Sequence, residues 1–225
     1  MIVDMWMTPS PATIAATDTI AAAALLMGRR QVRRLLIVTP ESAGTAEPVL
    51  AGIVTARDVA RAFPPDVNPL ALVSEDAVPA PVATIMTRTL HTTTPEAPIE
   101  EAARLLHRHK IGALPVVRHG RLVGIVTESD VFRAFVEMSG ADAPGLRVTF
   151  ELAPDEDVVA TMVEICRTRR ATMTGIAAFD HDDRRAGARR RLAVVRIATT
   201  EPDAVLDAIW ASHHRVIAVD RHAGC

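Results

Sequence analysis

The sequence predicts an α+β protein with two similar β-α-β-β-α units followed by one β-α-β-β-α-β unit. Three observations support this fold class. A motif pattern repeats within the first part of the chain, helical and strand-like hydrophobic periods alternate in each copy, and a new pattern begins after a Gly- and Pro-containing segment. We expect repeats at 1–63 and 82–138, a proline-rich linker at 64–81, a second linker at 139–145 and a last domain at 146–225.

Paired motifs make the internal repeat visible. Met7-Thr8 recurs 79 positions later as Met86-Thr87, whereas Gly-Ile-Val-Thr-x-x-Asp occurs at 52–58 and again 72 positions later at 124–130. The change of offset places seven extra residues of the first copy between Thr39 and Ala51. Because surface turns tolerate insertions, a pattern that persists across this length change indicates duplicated structure.

Each repeat alternates between helical and extended periods. Apolar residues at helical spacing predict a helix at 19–28 and its counterpart at 99–107. Short apolar runs bounded by turn residues predict buried strands at 35–38, 50–54, 114–117 and 122–126. Further helices are predicted at 59–63 and 131–138.

The C-terminal segment follows a different order. It predicts a strand at 147–152, a helix at 158–166 behind an acidic start, and a helix at 203–210. Strands are predicted at 173–179, 192–197 and 216–219, the first two joined by a charged hairpin at 181–191. This β-α-β-β-α-β order is ferredoxin-like.

The repeats resemble a tandem cystathionine-β-synthase (CBS) domain pair, or Bateman module, over residues 1 to about 138. The resemblance rests on Gly-hydrophobic-x-Thr-x-x-Asp after the last strand and on Leu114-Pro115-Val116-Val117. The run from Lys110 to Phe132 is similar to the acetoin-utilisation type, in which an ACT-like domain follows the pair. Two departures are Leu36, where that family usually has proline, and the first loop of the ACT-like domain, which lacks a glycine.

Composition and charge narrow the function classes. The 25 basic and 27 acidic residues give a net charge of −2, and 3% of the residues are aromatic. The chain thus lacks the overall field that attracts nucleic acid or anionic lipid, and it has few rings to stack on bases. The longest apolar runs are too short for a membrane helix, and the N-terminus lacks a secretory signal. We expect a cytoplasmic protein without a membrane or nucleic-acid partner.

The sequence predicts no catalytic residue, no metal ligand and no obligatory cofactor. It has one lysine, Lys110, and no GxSxG or HExxH motif. His107 and His109 are two apart on a predicted helix, and His213 and His214 are adjacent. Neither pair is therefore expected to share a metal ion.

The Thr-x-x-Asp motif has two interpretations, which the sequence leaves open. Thr55 and Thr127 are candidate helix caps, with Asp58 and Asp130 returning a hydrogen bond to the cap. Alternatively, the helix N-terminus receives phosphate, the threonine hydroxyl binds phosphate or ribose, and the aspartate accepts from ribose hydroxyls.

Further candidate residues follow from charge and from the resemblance. Arg33, Arg34 and Arg57 carry guanidinium groups that suit phosphate oxygens, although Arg33 and Arg34 also fit a solvated strand end. The second motif has Ser129 at a variable position. The resemblance implies a base pocket lined by Thr13, Ile14, Thr92, Thr93, Ala113 and Pro115.

We therefore expect a non-catalytic sensor that binds AMP, ADP, ATP, NAD or S-adenosylmethionine in the clefts of the pair. Occupancy would be transmitted to an unknown regulated protein by domain or dimer rearrangement. The alternative is a structural dimerisation module without a ligand, in which the Thr-x-x-Asp motifs are caps only. Both alternatives predict a homodimer.

Overall fold

The computed structural model describes residues 1–39, 49–63, 80–140, 144–183 and 187–222. The chain divides into two units, Met1–Phe132 and Arg133–Cys225. Nearly all of the predicted linker at 64–81, the insertion of the first repeat and the tip of the charged hairpin lie outside the described residues. Within the described ranges, no helix combines the length and the apolar composition needed to span a membrane.

The first repeat forms the β-α-β-β-α unit that the sequence predicts. After a short strand β1 (Thr8–Pro9), its elements are β2 (Thr13–Ala15), α1 (Ile20–Arg30), β3 (Arg34–Thr39), β4 (Val49–Thr55) and α2 (Ala56–Ala62). Strand β3 lies in the middle of the sheet, parallel to β2 and antiparallel to β4. Fully buried Ala21, Ala23 and Ala24 place α1 against the sheet.

The second repeat has the same order with a shorter first strand. Its elements are α3 (Ile99–His109), β5 (Ala113–Arg118), β6 (Arg121–Thr127) and α4 (Glu128–Met138). The counterpart of β2 is one parallel bridge between Thr93 and Val116. Helices α2 and α4 begin three residues before their predicted starts, because the polar first turn after each motif threonine is already helical.

The first segments of the two repeats are exchanged between their sheets. Strand β1 pairs with β6, while Thr87 forms a bridge with Ile53 on β4. Glycine favours the close approach at both contacts: a Cβ on Gly52 would lie 3.0 Å from the backbone oxygen of Thr87, and one on Gly124 would lie 3.1 Å from that of Thr8. The repeated Met-Thr and Gly-Ile-Val-Thr motifs are therefore two halves of one contact that occurs twice.

The second unit contains a four-stranded antiparallel sheet in the order β10-β7-β9-β8. Its elements are β7 (Gly145–Leu152), α5 (Val159–Thr168), β8 (Thr172–Asp183), β9 (Ala188–Ala198), α6 (Pro202–Trp210) and β10 (Arg215–His222). The predicted β-α-β-β-α-β order is confirmed. Phe150 and Val195 on the sheet share a buried core with Met162 on α5 and Ile209 on α6.

The charged hairpin of the second unit is shorter than predicted. Strands β8 and β9 continue into the segment that the sequence assigned to the turn. A salt bridge across the strands, 2.7 Å between Nη2 of Arg189 and Oδ2 of Asp180, supports this extension. The sequence pattern predicts these strands too short, because strands are recognised by alternating apolar residues and the ends of β8 and β9 are charged.

Candidate functional site

A cleft with a volume of about 600 Å³ lies between the two repeats of the first unit. The first repeat contributes the start of β3, the end of β4 and α2. The second repeat contributes residues 87–91, the loop after α3 and the start of β5. Both halves of the duplicated sequence are therefore needed to form the cleft.

Seven of the fourteen predicted ligand-binding residues line this cleft: Arg33, Arg34, Thr55, Arg57, Asp58, Ala113 and Pro115. The other seven do not line it: Thr13, Ile14, Thr92, Thr93, Thr127, Ser129 and Asp130. Thr93 is buried and uses its backbone in the pairing with β5, since its N–H donates to the carbonyl of Pro115 at 3.0 Å. Thr13 lies opposite Leu36 in the equivalent pairing of the first repeat.

Thr55 and Asp58 form a capping box at the start of α2. The N–H of Asp58 donates to Oγ1 of Thr55 at 3.3 Å, and Oδ2 of Asp58 accepts from the N–H and hydroxyl of Thr55 at 2.9 and 2.6 Å. Among the described residues, Oδ1 of Asp58 accepts no hydrogen bond. The cap therefore uses one oxygen of a carboxylate that also lines the cleft.

Thr127 and Asp130 of the second motif repeat this geometry without lining the cleft. The N–H of Asp130 donates to Oγ1 of Thr127 at 3.3 Å, and Oδ2 of Asp130 accepts from the N–H and hydroxyl of Thr127 at 2.9 and 2.7 Å. The cap interpretation is thus confirmed at both copies. What distinguishes them is their surroundings, since Thr55 and Asp58 line the cleft whereas Thr127 and Asp130 do not.

Cationic side chains dominate the charge of the described lining: Arg33, Arg34, Arg57, Arg61 and Lys110. The carboxylates of the lining are Asp58 and Glu128. The sequence prediction missed Arg61 and Lys110 as site residues. Arg61 lies one helical turn after Arg57 on α2, a spacing that was visible in the sequence.

Arg34 extends over Gly112 and places its guanidinium inside the cleft. A Cβ on Gly112 would collide with this guanidinium and would lie 3.2 Å from Oε2 of Glu128. Burial, followed by repulsion from Arg33, lowers the pKa of Arg34, whereas Glu128 acts in the opposite direction. Because arginine stays protonated in proteins, an anion beside these two guanidinium groups would reduce their repulsion.

A pair of histidines lies at the side of the cleft that the second repeat forms. His91 lines the cleft and stacks on His109, with ring centroids 3.5 Å apart. Desolvation, followed by repulsion from His91 and Arg108, lowers the pKa of His109. No local sequence pattern predicts this pair, because the two histidines come from separate segments.

Comparisons with known proteins find a family match in both repeats. A family model for the CBS domain matches residues 2–65 and 82–137, which together make up more than half of the chain. The chain is 31% identical over 137 residues to the CBS domain-containing protein YhcV of Bacillus subtilis. That match covers 61% of this chain and 86% of YhcV.

Two solved structures are also similar to the chain. AcuB, a Vibrio cholerae protein ascribed to acetoin utilization, is 32% identical with a TM-score of 0.49, over 61% of this chain and 91% of AcuB. The CBS domain pair of protein MJ0100, in complex with 5′-methylthioadenosine and S-adenosyl-L-methionine, is 27% identical with a TM-score of 0.48. That match covers 61% of this chain and 97% of the MJ0100 chain.

The matched length differs greatly among relatives. The chain spans only 22% of the homoserine O-acetyltransferases of Methanococcoides burtonii and Methanohalobium evestigatum, at 34% and 32% identity. The two regions that the family model matches form a duplicated unit with exchanged Met-Thr segments and two capped Thr-x-x-Asp motifs. Since the family model matches both copies, the chain belongs to the CBS domain family and carries a CBS domain pair, followed by a further sheet domain.

Proposed function

We propose that the CBS pair is a regulatory module that binds an adenine nucleotide, or another adenosyl ligand, in the cleft lined by Asp58. The single observation that carries this proposal is the capping carboxylate, which lines a cationic cleft and keeps one oxygen without a partner among the described residues. A carboxylate oxygen of this kind can accept hydrogen bonds from the vicinal hydroxyls of a ribose.

The phosphate end of the ligand would be held by side chains. The N–H of Asp58 already donates to Thr55, so the cap leaves less of the short helix α2 available to a phosphate. Arg33, Arg34 and Arg57 instead offer planar groups that bind phosphate oxygens in pairs. The excess of cations favours AMP, ADP, ATP or NAD over S-adenosylmethionine, whose sulfonium is itself positively charged.

Apolar side chains supply a surface for the adenine ring. Ile53 comes from the first repeat, while Leu90, Ile111, Ala113 and Pro115 come from the second. Ala113 and Pro115 are buried at the start of β5, which gives this surface a fixed position. Small apolar groups of this type pack against a flat base, and nearby polar groups then orient it.

A ligand in this cleft would contact both repeats, so its binding would favour one arrangement of the repeats over another. Ligand binding shifts a conformational equilibrium only when the two arrangements bind the ligand with different affinity. We include in the proposal a homodimer and an unidentified regulated protein. Helix α4 exposes Phe132, Phe135 and Val136 at the helical spacing i, i+3 and i+4, and these apolar neighbours support a contact with another chain. Sedimentation of the full chain as a monomer at micromolar concentration would contradict the homodimer.

A second candidate function is a structural module without a ligand. The two capping boxes favour it, because each satisfies its helix start without any bound molecule. In that case the cationic cleft would be a solvated surface, and nucleotides would change neither stability nor association.

Thermal unfolding of the full chain with AMP, ADP, ATP, NAD and S-adenosylmethionine separates these functions. The proposal predicts that at least one nucleotide raises the Tm in a saturable way, because a ligand that binds only the native state stabilises it. Adenosine and inorganic triphosphate serve as controls that test the nucleoside and the phosphate parts of ATP separately. If all five ligands at millimolar concentration leave the Tm unchanged, the structural module is the better account.

A further inference from the structure

The second unit holds a cluster of metal-ligating side chains that the CBS cleft does not use. Glu156 lies in the loop before α5, and His213 and His214 lie in the turn between α6 and β10. One ligand atom of each residue lies within 4.8 Å of those of the other two. The imidazole rings of His213 and His214 have centroids 4.0 Å apart and are tilted by 39°.

This geometry differs from what the sequence suggested. Adjacent positions in the sequence predict that His213 and His214 point apart and do not share an ion. They lie instead in a bend after the end of α6, where the backbone brings their rings together. Glu156 comes from 58 positions earlier in the chain than His214, so the cluster depends on the tertiary fold.

Two of the three side chains are oriented by further contacts. The side chain of His214 is fully buried, its Nδ1 faces Oε1 of Glu156, and its Nε2 lies 2.8 Å from Oγ1 of Thr161. The other carboxylate oxygen, Oε2 of Glu156, accepts from the N–H of Ala153 at 2.8 Å. Metal-ligating histidines and carboxylates are commonly held in this way by a second group.

We propose that Glu156, His213 and His214 bind one Zn²⁺-like divalent ion, with water in the fourth position. Two imidazoles and one carboxylate form a common three-residue ligand set for zinc. The ion would replace the hydrogen bond between Nδ1 of His214 and Oε1 of Glu156. In the neutral imidazole the proton then sits on Nε2, where it donates to the hydroxyl of Thr161.

Binding an ion here would tie together two loops of the second unit. Glu156 belongs to the β7–α5 loop and His214 to the α6–β10 turn, so the ion would link the two loops beside the paired end of β7 and start of β10. A ligand that binds only the native state stabilises it by an amount that grows with the logarithm of the free ligand concentration above the dissociation constant. This inference does not depend on the CBS cleft, since every residue in it belongs to the second unit.

Zinc and cobalt titrations of the full chain, after chelator treatment and dialysis, test the proposal. We expect one Zn²⁺ per chain by calorimetry, with a dissociation constant of about 1 µM or tighter. Co²⁺ at the same site should produce the visible absorption of a tetrahedral ion, and Zn²⁺ should displace it. Zn²⁺ should also raise the Tm.

Two variants and one control identify the ligands. His213→Gln removes an exposed ligand without disturbing the core, and Glu156→Gln keeps the shape of its side chain, so each should lower zinc affinity about tenfold or more. His181→Gln, at an exposed position on β8, should bind zinc as the wild type does. If the wild type shows neither saturable zinc binding nor a cobalt spectrum, the cluster is only a hydrogen-bonded pair of His214 and Glu156. That result, or zinc affinity unchanged in both variants, would overturn the proposal.

Discussion

Oδ2 of Asp58 accepts two hydrogen bonds from Thr55, one from its backbone N–H at 2.9 Å and one from its hydroxyl at 2.6 Å. The same aspartate lines the cleft between the two CBS repeats. Capping and ligand binding are therefore compatible, because the cap fixes the carboxylate while using only one of its oxygens. The cap and ligand interpretations of Thr-x-x-Asp then differ only in whether a ligand engages the remaining oxygen.

The capping role makes a prediction about stability. Asp58→Ala removes a capping-box partner and should lower the free energy of unfolding by about 1 kcal/mol. Asp130→Ala should cause a loss of similar size, because its hydrogen bonds to Thr127 have the same geometry. Urea denaturation followed by circular dichroism measures both. Two variants as stable as the wild type would show that the caps contribute nothing.

The cationic lining of the cleft should bind the phosphates of a nucleotide. Arg34→Ala should weaken ATP binding about tenfold and leave adenosine binding nearly unchanged, because a guanidinium recognises phosphate oxygens. Arg104→Ala is the matched control, since Arg104 is exposed on α3 and does not line the cleft. Calorimetry at two salt concentrations provides the measurement, with weaker ATP binding expected at high salt. Equal losses for ATP and adenosine would argue against a phosphate contact.

Substitutions at two glycines of the first unit should have separate effects, one on protein stability and the other on ATP binding. Gly52→Ala places a Cβ 3.0 Å from the backbone oxygen of Thr87, which cannot move freely, so a loss of about 1–3 kcal/mol in stability is expected. Gly112→Ala meets the flexible end of Arg34, which can move away. The second variant should unfold like the wild type yet bind ATP more weakly. Thermal unfolding and calorimetry together check the pair, and a strongly destabilised Gly112→Ala protein would contradict it.

The stacked histidines should make the stability of the protein depend on pH. The pKa of His109 is lowered by desolvation first and then by repulsion from His91 and Arg108, so the folded state disfavours the protonated ring. Its contribution to stability should therefore decrease as the pH falls through the unfolded value of about 6.5. A histidine NMR titration should place His109 below that value and should show it rising in His91→Asn. An unchanged His109 pKa in this variant would contradict the assigned repulsion.

The order of helices and strands was predictable because hydrophobic periodicity carries it. Two β-α-β-β-α units and the C-terminal β-α-β-β-α-β unit follow directly from apolar spacing. The exchange of Met7-Thr8 and Met86-Thr87 between the sheets was not predictable, although the motifs were visible. A repeated motif shows that a contact recurs, but it does not tell which copy provides each half.

The candidate site was predictable only in part. Thr55, Asp58 and the neighbouring arginines carried a local signal, and these residues do line the cleft. Lys110 and His91 carried none, because they reach the cleft through the packing of the second repeat against the first. The same limit applies to Glu156 and His214, which meet only in the folded second unit.

ATP calorimetry with the wild type, Asp58→Ala and Asp130→Ala shows whether the Asp58 cleft binds an adenosyl ligand. We expect saturable binding to the wild type, binding weakened about tenfold or more in Asp58→Ala, and retained high-affinity binding to Asp130→Ala. The two variants lose equivalent caps, so loss of the cap alone cannot produce this difference. If Asp58→Ala binds ATP as tightly as the wild type, the Asp58 carboxylate does not contact the ligand.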